Sequence, residues 1–115
     1  MMKKFMAVYI GSATPEQRAD FQADQAKMQA GMEAWGKWMQ DNRESFVDAG
    51  GPLGKTKRVD KSGIADTSNQ MTAYVIVQAE NHEEAARMFE GHPHFTIFPG
   101  EADEIMECLP IPGGA

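Results

Sequence analysis

Two short segments constrain this chain more than any others. Residues 4–10 (Lys4-Phe5-Met6-Ala7-Val8-Tyr9-Ile10) and Met71–Ala79 are apolar at most positions, and β-branched and aromatic side chains cluster within them. The first stops at Gly11 and Ser12, and both are too short for buried helices, so each reads as a strand. In the first, Phe5, Ala7 and Tyr9 share one face while Met6, Val8 and Ile10 share the other. In the second, Met71, Ala73, Val75 and Val77 oppose Tyr74 and Ile76. An antiparallel sheet usually buries one face and wets the other. Central strands that are apolar on both faces require a second cover.

Between these strands the chain reads as helix, strand and loop. Thr14, Pro15 and Gln17 form a capping box with proline at the first helical position. The stripe Phe21, Met28, Met32, Trp35, Met39 and Phe46 keeps helical spacing as far as Ala49, and Gly31 marks an expected bend or break. Gly50-Gly51-Pro52 reads as the helix stop, residues 53–59 as the second strand, and the polar stretch 60–70 as a loop between antiparallel strands. After the strand Met71–Ala79, Asn81 and Glu84 cap a second helix that ends at Gly91. Residues 92–100 read as a loop. Residues 103–109 read as a last strand, with Ile105 and Leu109 facing away from Glu104, Met106 and Cys108. The Pro/Gly-rich tail 110–115 is expected to be loose.

The order β-α-β-β-α-β specifies an α+β, ferredoxin-like domain: a four-stranded antiparallel sheet with both helices on one face. At 115 residues the chain makes one domain, 1–115. The second apolar face then predicts a homodimer packed sheet to sheet, since a two-fold pair is the simplest closed solution. The alternative is that the long helix and the 92–100 loop wrap over that face.

Charge and cysteine content narrow the partners. With 17 acidic against 11 basic residues the net charge is −6, which argues against nucleic acid, where a cationic stripe is needed to displace counterions. The single Cys108 rules out an internal disulfide and fits a reducing compartment, so the expected location is the cytoplasm. The first apolar run is too short and strand-like for a signal peptide, and no run approaches bilayer length, so no membrane partner is expected.

Several stretches together resemble the YCII-related family, in particular its DGPF-type branch. They are the opening strand 4–10, the turn Ala49-Gly50-Gly51-Pro52-Leu53-Gly54, the strand Met71-Thr72-Ala73-Tyr74-Val75-Ile76-Val77, Asn81-His82-Glu83-Glu84-Ala85-Ala86, His92-Pro93-His94 and the strand before Pro110. The resemblance implies a dimeric α/β-barrel built from ferredoxin-like halves, and for a few relatives a part in breaking down aromatic compounds. Asp66-Thr67 stands about where the branch carries its Asp-Gly-Pro-Phe string. A His–Asp pair proposed for some members, with its histidine on the first helix, has no counterpart, because no histidine precedes His82.

The densest candidate for chemistry is His92-Pro93-His94-Phe95. Histidine titrates near neutrality and serves as acid or base in a largely apolar pocket. His94, held by the preceding proline, is the favoured acid–base; Asp66, with Asp48 and Glu107, is a candidate to orient it. His92 and Phe95 are expected beside a bound molecule, with Trp38 as a pocket wall and Arg58 as a partner for an anionic group. The plain structural readings are that His94 fills a dimer interface, His92 caps a helix end, the Trp/Met stripe is core and Arg58 makes a surface ion pair. His-x-His with His82 or Glu90 would be an unconventional metal set, so no metal and no cofactor is expected. Cys108 has no basic neighbour in sequence that would activate it as a nucleophile. Two functions follow: a cofactor-free lyase or isomerase acting on a small aromatic or carboxylated molecule, or a non-catalytic dimeric module that binds a small ligand or a protein.

Overall fold

The computed structural model describes residues 1–113; residues 114–115 of the expected loose tail lie outside the described residues, and 110–113 belong to no strand or helix. Thr14 accepts from the Gln17 amide at 3.1 Å while its own amide donates to the Gln17 side chain at 2.9 Å, which starts α1 (Pro15–Ala23) as the sequence predicts. The helix then breaks at Asp24, not near Gly31. Asp24 is extended, and its carboxylate accepts from the Lys27 amide at 3.0 Å to cap α2 (Gln25–Asp41). Gly31 is buried within α2 for a different reason: a Cβ there would lie 2.7 Å from the Phe98 ring. It permits close packing and breaks nothing.

The long periodic stretch does not reach Ala49 as helix. After a 3₁₀ turn, Arg43–Ser45, the chain enters β2 (Phe46–Pro52), so Phe46 matches the helical stripe only by coincidence of spacing. The pair Gly50-Gly51 is a strand irregularity, not a helix stop. Gly50 has φ of 66° and lies so close to the Tyr74 carbonyl that no side chain fits. The second sheet strand is therefore Phe46–Pro52 and not residues 53–59. Residues expected as that strand and the following loop instead supply β3 (Thr56–Asp60) and β4 (Gly63–Thr67), a separate hairpin exposed along nearly its whole length.

The main sheet runs β2, β5 (Met71–Ala79), β1 (Lys3–Ile10), β6 (Ala102–Glu107), with every neighbouring pair antiparallel. This is the ferredoxin-like α+β arrangement, with the β3–β4 hairpin inserted between the two sheet strands β2 and β5. Asn81 caps α3 (His82–Arg87) through a 2.8 Å bond from the Glu84 amide, and Gly91 turns the chain with φ of 67°. A short helical turn, α4 (Pro93–Thr96), stands where a loop is expected.

One face of the sheet carries the core. Phe5, Ala7 and Tyr9 of β1 and Val75, Val77 and Ala79 of β5 pack with Ala85 and Phe89, and Trp35 and Trp38 of α2 close over them. Each large apolar side chain fully buried this way contributes about 1.5–3 kcal/mol. The opposite face, with Met6, Ile10, Tyr74 and Ile76 half-buried around a buried Val8, belongs to no part of that cluster. The molecule is a slab 18 Å thick, and its Cα radius of gyration of 16.1 Å exceeds the roughly 13 Å of a compact chain of this length. Among the described residues, no helix is long and apolar enough to cross a membrane.

Candidate functional site

The polar centre of the domain lies under α4, between the inward faces of β1 and β6. Tyr9 and Asp103 are direct cross-strand partners, and both point to the helix-covered side. His92 stands over them as the N-cap of α4. The His94 backbone N–H donates to His92 Nδ1 at 2.9 Å, and Pro93 at the first helical position holds the turn. Because Nδ1 accepts that bond, the neutral ring carries its proton on Nε2, which donates toward the Tyr9 oxygen at 3.4 Å. His94 is oriented by a different bond: its Nε2–H donates to the Ile10 carbonyl at 2.7 Å. That contact leaves Nδ1 of the neutral His94 ring as the basic nitrogen.

Burial sets the electrostatics. His92 is fully buried and is pushed down to about 4, first by desolvation and then by His94. His94 is also lowered by burial, partly offset by its bond to Ile10. The Tyr9 hydroxyl is pushed up by burial and by the nearby Asp103 charge, so it stays a neutral donor. Asp103 is raised by burial to about 7, and neither carboxyl oxygen has a hydrogen-bond partner. Its Oδ2 lies 3.8 Å from His92 Nδ1, whose lone pair is already engaged. A carboxylate would be opposed there; a carboxylic acid is tolerated.

This cluster borders an apolar cavity of about 590 Å³ between α2 and strands β2 and β5. Trp35, Trp38, Met39, Phe46 and Phe98 form its walls, and Tyr9 reaches it from β1. Trp38 is fixed by its indole N–H donating to the Met88 carbonyl at 2.8 Å, and its ring meets His92 edge-on at 4.5 Å between centroids. A smaller cavity of about 200 Å³, lined by His94, Arg18 and Gly100, shares Trp35, Thr72 and Phe98 with the larger one.

Of the residues picked from sequence, His92, His94 and Trp38 are brought together. Phe95 is 37% exposed and lines neither of these cavities. Asp66 and Arg58 lie on the exposed hairpin, paired with Lys57 and Asp60 respectively, and not beside His94. Asp48 accepts from the Gly50 amide at 2.8 Å and from the Tyr74 hydroxyl at 3.4 Å, while Glu107 and Cys108 are exposed. His82 is exposed, donating to the Ile105 carbonyl at 2.8 Å. Among the described residues, no group of three or more His, Cys, Asp or Glu side chains is placed to hold a metal ion. The residues that sequence reading missed are Tyr9 and Asp103. Asp103 carried a signal: it lies two positions before Ile105, on the inward face of its strand.

No protein-family model matches the chain, and no curated protein matches it. Among solved structures, its fold is similar to that of 5-chloro-2-hydroxyhydroquinone dehydrochlorinase from Burkholderia phenoliruptrix AC1100, determined in complex with 2,5-dihydroxybenzoquinone. The match has a TM-score of 0.52 at 16% identity and covers 96% of this chain and 95% of the other, so the two share a fold along their whole length.

Proposed function

We propose that this chain is a cofactor-free lyase or isomerase of the YCII-related type that acts on a small hydroxylated aromatic molecule. The observation that carries the reading is Tyr9 at the wall of an aromatic-lined cavity, backed by the buried His92 and Asp103, with His94 on the smaller cavity that adjoins it. Such a cavity takes a flat ring, and its few convergent polar groups orient it. The neutral Tyr9 hydroxyl donates to a substrate oxygen where negative charge develops, while His92 Nε2–H supports the Tyr9 oxygen from behind. His94 Nδ1 takes a proton from the substrate. The electron pair left behind forms a new double bond as a leaving group departs from the adjacent carbon with its own pair. The step needs no oxidant or reductant. The whole-length fold likeness to a dehydrochlorinase is compatible with an elimination of this kind.

The working unit in this reading is a homodimer in the cytoplasm, with the two open sheet faces packed together as a dimeric α/β-barrel. Support comes from the half-buried apolar face that lies outside the core cluster and from the thin slab shape. The test is turnover of chlorinated hydroquinones and hydroxylated benzoates by the wild type, His94→Ala and Tyr9→Phe. Loss of about a hundredfold or more in each variant is expected, the usual weight of a general acid or base. Full turnover by His94→Ala sinks the assignment of His94.

A second reading has its own observation: His92 is fully buried and His94 has one nitrogen engaged by Ile10, as in a satisfied core pair. On that reading the cavity only binds a small ligand. Tryptophan quenching by these compounds without any conversion by the wild type would favour it.

A further inference from the structure

Resting on the reading above, we infer that the smaller cavity beside His94 is an anionic subsite, and that the ring held by this protein carries a carboxylate bound by Arg18. The two cavities share Trp35, Thr72 and Phe98, so a ring lying against that wall places a substituent in the smaller one. The larger cavity is apolar and offers no cation. Arg18 supplies the positive charge at the smaller one, in a chain whose net charge of −6 otherwise repels anions.

Arg18 is also poorly explained by the helix that bears it. It stands in the opening turns of α1, where the helix dipole disfavours a cation. It forms no ion pair among the described residues, and of the basic residues without one it is the one that lines the smaller cavity. Its one hydrogen bond runs from a guanidinium nitrogen to the Ala13 carbonyl at 3.2 Å, which anchors the head and leaves the other N–H groups of the fork free. An anchored planar fork with free donors suits a carboxylate.

The chain has two tryptophans, and both line the larger cavity, so their fluorescence reports occupancy. The probes are 2,5-dihydroxybenzoate and hydroquinone, which share the dihydroxylated ring and differ by the carboxylate. The wild type is expected to bind the benzoate about fivefold more tightly, the weight of a partly exposed ion pair. Arg18→Met should abolish that preference with hydroquinone binding unchanged, and Arg18→Lys should keep part of it. Equal affinities in the wild type, or a preference that survives Arg18→Met, overturns the inference while the pocket stands. Quenching by neither probe overturns both the inference and the pocket reading beneath it.

Discussion

Asp103 stands directly across from Tyr9 on the neighbouring strand, 2% exposed at its side chain, with no hydrogen-bond partner for either carboxyl oxygen. An unpaired buried carboxyl is costly when charged, and this one remains largely protonated up to about pH 7. An acid whose folded pKa lies above its unfolded one binds more protons when folded, so stability falls as pH rises between the two values. From 3.8 to about 7, Asp103 therefore costs the fold about 4 kcal/mol. His92 acts in the opposite sense. Its pKa drops from 6.5 to about 4, so it favours the fold increasingly as pH rises through that window. The two trends offset each other over much of the acid range.

Asp103→Asn should separate them. The amide cannot ionise, so the stability difference between variant and wild type is expected to shift toward the variant as pH rises from 4 to 7, by up to about 4 kcal/mol. Urea unfolding at a series of pH values measures it. A difference that stays flat across that range would show that Asp103 is not held in its acid form.

Gly100 packs its backbone against the His94 ring and carbonyl so closely that a Cβ would overlap both. Gly100→Ala is expected to push His94 away, break its bond to Ile10 and destabilise the protein by about 1–3 kcal/mol. Thermal unfolding reads the stability, and the His94 imidazole NMR signals read the displacement. A variant with wild-type stability and unchanged His94 signals would mean that the ring is not fixed there. Gly36→Ala, where a Cβ meets nothing within 4 Å, is the matched control.

The order of strands and helices was legible because each element carries a local signal: the apolar runs of β1 and β5, the Thr14 and Asn81 caps, and the Gly91 turn. β2 was misplaced because its evidence is long-range. Gly50-Gly51 looks like a helix stop until Tyr74 is seen lying against it, and Phe46 continues a helical stripe by accident of spacing. The site divides the same way. His92 and His94 stand out within four residues of sequence, whereas Tyr9 and Asp103 meet only through the β1–β6 register. Asp66 as the carboxylate to orient His94, and Arg58 as the partner of an anionic group, are residue types suited to those roles, but the hairpin carries both to its own exposed surface. The alternation that puts Asp103 on the inward face with Ile105 was visible, but alternation does not say what lies opposite.

The open sheet face yields the last prediction. Met6, Ile10, Tyr74 and Ile76 lie outside the core of their own chain, and Met106, which pairs with Met6, is 44% exposed. Packed against a second copy, these side chains leave water without any rearrangement of the core on the other face. At micromolar concentration the protein is expected to sediment at twice its 12.7 kDa chain mass. Ile76→Glu places a carboxylate in the middle of that face, next to Asp48 across the strand pair, and should convert the dimer to monomer with the tryptophan environment preserved. Sedimentation velocity on both proteins decides the matter. A monomeric wild type would mean that the face is covered in some other way, and an Ile76→Glu dimer would place the contact elsewhere on the chain.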